Sequence, residues 1–168
     1  MENNLTGNAW KFGNNIDTDI IMPSQYLSWP LEESYRLAFE PLRKGFADLV
    51  TPGDVIVAGS NFGSGSSREQ AAQAIFRMGI RAVIANSYAR IFYRNALNIG
   101  LYAIECPEAE AIIEEGNRVK IDLDRGVLLN LSTAREASFG PFPQNLRKIM
   151  EAGGLVEYMK KRNHQEAR

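Results

Sequence analysis

Residues Asp54 to Met78 read DVIVAGSNFGSGSSREQAAQAIFRM, and the order of patterns inside this stretch decides the fold. Asp54 to Ala58 is a short apolar, β-branched run after Pro52-Gly53, the composition of a strand buried on both faces of a parallel sheet. Three glycines and four serines follow between Gly59 and Ser67. Arg68 to Met78 is then rich in good helix formers and is stopped by Gly79. Arg81 to Ala85 repeats the strand pattern, Tyr88 to Leu97 the helix, and Leu101 to Ile104 adds a third strand. Strand, loop, helix, strand, helix, strand predicts an α/β core with parallel pairing.

Toward the amino terminus, a strand around Trp10 to Phe12 leads into Gly13-Asn14-Asn15-Ile16-Asp17-Thr18-Asp19, an ordered loop of residues that bond their own backbone. Pro23 to Pro30 stays irregular, and Leu31, Tyr35, Ala38 and Phe39 give Leu31 to Phe39 the spacing of a short helix. Beyond Pro107, Glu108 to Glu115 reads as a short acidic helix. Arg118 to Leu123 and Val127 to Leu131, split by Asp124-Arg125-Gly126, form a hairpin, so antiparallel strands are expected to flank the parallel core. Pro143 to Met150 and Gly154 to Lys161 read as closing helices, with residues 163 to 168 expected to fray. No repeat or low-complexity linker divides the chain. Its 168 residues fit a single domain, 1–168, able to bury a core without staples.

Composition narrows the function. The 19 basic side chains nearly cancel the 20 acidic ones, for a formal net charge of -1, which argues against a nucleic acid or a membrane surface held by electrostatics. Cys106 is the one cysteine, so the chain forms no internal disulfide and holds no iron–sulfur cluster by itself, since that needs three or four thiolates. Cys106 ends an apolar run and reads as a buried bystander. His164, the one histidine, lies in the polar tail and is expected to be solvated, which leaves no Ser/His/Asp triad and no Cys/His metal site. The opening residues lack the basic start and apolar core of a signal peptide, and no apolar stretch reaches the ~18 residues of a membrane span. A cytoplasmic protein is expected.

Chemistry therefore concentrates in two loops. The glycines of Gly59 to Ser67 let backbone amides approach a ligand, and at a helix N-terminus those amides and the helix dipole favour a carboxylate, a phosphate or a developing oxyanion. Ser66 and Ser67 stand where N-cap residues belong, and Arg68 adds a fork-shaped cation at the same edge. The alternative is that the serines only cap and the glycines only turn. A mononucleotide-binding loop needs Gly-Lys-Ser/Thr and a dinucleotide fingerprint needs G-x-G-x-x-G; neither is present. Asp17-Thr18-Asp19 offers two carboxylates and a hydroxyl, which serve a site only if its other part lies nearby and otherwise cap their own backbone.

Gly59 to Ala72 (GSNFGSGSSREQAA), followed by Ile84 to Arg90 (IANSYAR), resembles the signature of the aconitase superfamily's swivelling domain. Asp17-Thr18-Asp19-Ile20-Ile21 with Pro23, Tyr26 and Leu27 resembles the loop near the start of that domain. The resemblance implies an aconitase-like swivelling domain in three layers, β/β/α, with parallel core strands and flanking antiparallel strands and helices. Length and the lone cysteine fit the free-standing small subunit of a two-subunit hydro-lyase. Its large subunit would carry a [4Fe–4S] cluster, and this chain would bind no cofactor or metal. Implied roles are Ser66 as the base for the substrate's α-proton, Asp19 as the family's active-site aspartate, and Arg68 with Ser67, Ser64 and Gly65 as the substrate-carboxylate site.

The reaction so implied is reversible loss and re-addition of water on a malate-type hydroxy acid. Tyr26, Leu27, Ser28 and Trp29 occupy the stretch that reads the substrate's third substituent. Branches acting on triacids place an arginine there; here it is Ser28-Trp29, and a buried third carboxylate without a partner costs several kcal/mol. This favours isopropylmalate, hence a dehydratase of leucine biosynthesis, over the 2,3-dimethylmalate, citramalate and homoaconitate types, which stay as alternatives. Trp29 packing a subunit interface is the competing reading of that residue. A non-catalytic anion-binding regulatory module using the same loop is the alternative of another class.

Overall fold

A computed structural model describes residues 3–167. The chain runs β1 (Asn4–Lys11), α1 (Thr18–Ile21), α2 (Leu31–Ser34), α3 (Phe46–Leu49), β2 (Val55–Val57), α4 (Glu69–Arg77), β3 (Ala82–Ala85) and α5 (Arg90–Ile99). It continues through β4 (Tyr102–Glu105), α6 (Ala109–Ile112), β5 (Arg118–Asp122), β6 (Val127–Asn130), β7 (Glu136–Ser138), α7 (Gln144–Glu151) and α8 (Leu155–Glu166). Seven strands form one sheet in the order β4-β3-β2-β1-β5-β6-β7. The pairs β1/β2, β2/β3 and β3/β4 are parallel, and β1/β5, β5/β6 and β6/β7 are antiparallel.

The join between the two halves is β1. Asn4 to Asn8 pair with β5, while Ala9 to Lys11 pair with β2, so opposite ends of one strand serve the antiparallel and the parallel half. Successive side chains of a strand face opposite sides, and the core divides accordingly. Ile56, Val83 and Ala103 join Ala71, Ala72 and Ile75 of α4 and Phe92 and Ala96 of α5 on one side. Val55, Val57, Ala82, Ile84 and Ile104 join Val119, Ile121, Leu128 and Ala137 on the other. Helix α6 packs against both β3 and β7, five positions apart in the sheet. A flat sheet would separate those strands by about 24 Å, and a four-residue helix is about 6 Å long, so the antiparallel half curls over the parallel one. Helices, parallel strands and curled antiparallel strands make the three β/β/α layers expected.

Besides the short helices α1 and α3 and the strand β7, which were not expected, three elements differ from expectation. Leu31 to Phe39 is not one helix: α2 gives way to a 3₁₀ turn, Tyr35–Leu37, and Phe39 takes a positive φ of 63° while its amide donates to the Ile21 carbonyl at 3.1 Å. That break buries Phe39 against Phe12 and Phe46, ring centroids 4.8 and 5.2 Å away. The first strand begins at Asn4, and residues 163 to 166 are helical rather than frayed, closed by an Arg162–Glu166 pair one turn apart. Residue 168 lies outside the described residues. Cys106 is buried, and His164 is exposed on α8. Among the described residues no helix is long and apolar enough to cross a membrane.

Candidate active site

All four parallel strands end at one edge of the sheet, with Lys11, Val57, Ala85 and Glu105, and the segments that follow β1, β2 and β3 lie together there. In open α/β sheets ligands bind outside such carboxyl ends. The three segments are stitched by their own polar groups. Asn14 Oδ1 accepts from the Ser60 amide at 2.7 Å, the Gly63 amide donates to the Ile16 carbonyl at 2.7 Å, and Ser87 Oγ accepts from the Asn61 amide at 2.8 Å. Sequence reasoning assigned Asn14 and Ser87 no role. The only local signal was their type, since Asn and Ser bond nearby backbone wherever they fall in a loop.

The loop Ser64 to Ser67 meets α1 directly. The Thr18 amide donates to the Ser64 carbonyl at 2.8 Å, and Thr18 Oγ1 donates to the Ser66 carbonyl, also at 2.8 Å. Gly65 between them has φ +88°, a left-handed bend that glycine adopts without strain. The structure corrects the expected capping. Arg68, not a serine, occupies the N-cap position of α4, and no side chain caps that helix. Ser66 and Ser67 are exposed, and capping does not explain them. What α4 presents is therefore an uncapped N-terminus behind two exposed hydroxyls, a surface where negative charge is favoured.

The two carboxylates of the early loop have separate tasks. Asp17 Oδ1 accepts from the amides of Asp19 and Ile20 at 2.8 and 2.9 Å, which makes Asp17 the N-cap of α1. Asp19 reaches outward: its Oδ1 accepts from Arg68 Nη1 at 2.7 Å and from the Ser24 amide at 3.1 Å. The same Nη1 donates to the Met22 carbonyl at 3.1 Å. The Arg68 hydrogen bond, helped by the Ser24 amide, holds the Asp19 carboxyl below its ordinary range. Asp19, Arg68, Ser66 and Gly65 are thus brought to one face, although Asp19 and Arg68 are 49 positions apart.

Tyr26 and Leu27 are half-buried against the helical core, whereas Ser28 is exposed and Trp29 is 47% exposed, its ring edge-on to Tyr26 at 5.1 Å. In the IANSYAR stretch, Tyr88 Oη donates to the Val83 carbonyl at 2.6 Å and accepts from the Ile104 amide at 3.1 Å. Burial pushes that phenol well above its ordinary pKa, so it stays neutral and structural. A hollow of about 420 Å³ lies beside Arg90, Glu105 and Pro141. None of Ser64 to Arg68 lines it, and the chemistry-bearing residues sit instead on an open face. Among the described residues no three His, Cys, Asp or Glu side chains gather as a metal site requires.

The aconitase C-terminal domain family matches residues 48–109, the span that holds β2 to β4 and the loop. The 3-isopropylmalate dehydratase small subunit 1 of Archaeoglobus fulgidus is 51% identical over 156 residues, covering 92% of this chain and 96% of its own. The 3-isopropylmalate dehydratase small subunit of Aquifex aeolicus is 48% identical over 164 residues, covering 96% and 98%. A crystal structure of 3-isopropylmalate dehydratase from Methanocaldococcus jannaschii superposes with a TM-score of 0.91 at 43% identity, over 98% of each chain.

Proposed function

The chain belongs to the 3-isopropylmalate dehydratase small-subunit family, within the aconitase superfamily, and we infer that its Ser64 to Arg68 loop supplies the base and the substrate-carboxylate contacts of a shared active site. The family makes it a subunit of a hydro-lyase in leucine biosynthesis. One observation carries the finer reading: two exposed serines and a carboxylate-paired arginine stand at an uncapped helix N-terminus on an open face.

Ser66 takes the α-proton of the hydroxy acid as its alkoxide. A free hydroxyl is far too weak an acid for this. The dipole of α4 and the neighbouring amides stabilise the negative oxygen as preorganised donors, which is how an alcohol becomes a usable base. Arg68 holds a substrate carboxylate through the guanidinium edge that Asp19 leaves free, so Asp19 orients the fork. Ser67, Ser64 and Gly65 complete the carboxylate contacts. A [4Fe–4S] cluster, when bound, supplies the Lewis acid for the hydroxyl that departs. This chain's one cysteine, Cys106, is buried and cannot furnish the thiolates such a cluster needs, so the cluster belongs on the large subunit, which covers the open face. A cytoplasmic, reducing setting suits that partner. Trp29 meets the alkyl substituent beside Ser28, and the absence of an arginine there selects an alkylmalate over a triacid.

In the assembled enzyme, Ser66→Ala is expected to lower kcat by about 10²- to 10⁴-fold with a far smaller change in KM. Arg68→Lys is expected chiefly to raise KM, because a bidentate contact becomes a point contact. Steady-state kinetics on 3-isopropylmalate read both. Equal, mild effects would leave the loop a structural turn.

A further inference from the structure

Behind the exposed serines of the loop lies one buried hydroxyl. Thr18 is 2% exposed, and its two donors bracket the left-handed bend at Gly65: the amide holds the Ser64 carbonyl and the hydroxyl holds the Ser66 carbonyl, each at 2.8 Å. A Cβ at position 65 would lie 3.6 Å from Thr18 Oγ1, so hydroxyl and bend pack as one unit. Ser66 lies two residues before Arg68, the N-cap of α4, outside the reach of the helix's own amides; its carbonyl accepts from the Thr18 hydroxyl instead. A hydrogen bond to a carbonyl also polarises its peptide unit and strengthens the next amide as a donor. That amide belongs to Ser67, at the helix end where the serine's negative charge has to be held.

We propose that Thr18 is a positioning residue for the reaction: its buried hydroxyl orients the Ser66 peptide and primes the Ser67 amide. The inference rests on the reading of Ser66 as the base. It differs from simple satisfaction of a buried hydroxyl, because what it predicts is a loss in the chemical step and not in folding.

The test uses the assembled two-subunit enzyme and 3-isopropylmalate, with Thr18→Val, Thr18→Ser and Ser66→Ala made in parallel. Thr18→Val keeps the shape and removes the donor; kcat is expected to fall about ten- to a hundredfold, the scale of a misplaced catalytic group, with KM within about threefold of the parent. Thr18→Ser restores the donor and is expected to recover kcat to within about threefold. Thr18→Ala, which relieves any crowding from valine, reads the same quantity if the valine variant fails to assemble. The proposal is overturned if the valine and alanine variants keep the parent kcat, if the serine variant falls as far as they do, or if the loss lies in KM alone. The controls separate the two readings. Ser66→Ala at parent activity sinks the base itself, whereas an inactive Ser66→Ala beside a fully active Thr18→Val sinks only the role of Thr18.

Discussion

Arg68 Nη1 has two acceptors, Asp19 Oδ1 and the Met22 carbonyl, and this geometry sets the ionisation of the site. Asp19 is solvent-exposed, its side chain 64% accessible, so the pairing is screened and adds little to stability. It does depress the carboxyl's pKa. Because the folded-state value lies below the unfolded value of about 3.9, the contribution is complete above that value and is lost as pH falls through the depressed one. Asp19 is thus ionised throughout the neutral range. Removing the cation by Arg68→Gln is expected to move the Asp19 midpoint back up toward the ordinary carboxylate range in a ¹³C-carboxyl NMR titration. An unmoved midpoint would mean that the pair does not form in solution.

Gly63 of the loop packs directly against Phe92 of helix α5. It has φ +78°, and a Cβ there would come within 2.2 Å of the Phe92 ring. Gly63→Ala combines backbone strain with overpacking and is expected to cost about 2–4 kcal/mol in urea denaturation. A Cβ added at Gly13, in the facing loop, would meet no atom within 4 Å, and Gly13→Ala should stay within about 0.5 kcal/mol. Equal costs would mean that Phe92 does not support the loop. Elements were legible in the sequence where local pattern and burial agree, as in β2 to β4, whose buried residues form continuous apolar runs. The strand β1 was legible only at its end, because Gly7 and Asn8 are poor strand formers and pairing with β5 overrides them. The helix expected over Leu31 to Phe39 breaks before Phe39, whose aromatic contacts with Phe12 and Phe46 outweigh helical spacing.

At the scale of the whole molecule, one curled sheet places every chemistry-bearing loop at one edge and leaves that edge open. On the proposed assignment Ser64 to Arg68 supply a base and a carboxylate site, and dehydration also needs exclusion of water and a Lewis acid for the departing hydroxyl, neither of which an open face provides. The isolated chain is expected to show no turnover of any alkylmalate, with activity appearing on anaerobic reconstitution with the large subunit. Dehydratase activity from the isolated chain would refute the shared site. In the reconstituted enzyme Ser28→Arg is expected to gain turnover of a triacid such as homocitrate and to lose activity on the alkyl substrate, since a guanidinium facing an alkyl group is desolvated without a partner. Unchanged alkylmalate kinetics with continued rejection of triacids would place Ser28 outside the pocket.

Local pattern and composition were enough to read the parallel core, the glycine-serine loop between β2 and α4, and, from a single cysteine, the lack of thiolates for a cluster. Each of these is local or compositional: hydrophobic period, turn chemistry and ligand arithmetic are read within a short window or by counting. Tertiary structure alone decided which polar groups meet. Thr18 and Ser66 lie 48 positions apart, and no periodicity links them. Their hydrogen bond exists because β1 and β2 pair in parallel at Ala9 with Val55, which brings both following loops to the same edge. That register also separates Asp17, which caps α1, from Asp19, which pairs with Arg68. By local pattern the two carboxylates were alike, and only the family resemblance singled out Asp19; Asp17 bonds the amides of its own helix, whereas Asp19 finds its partner, Arg68, across the sheet edge.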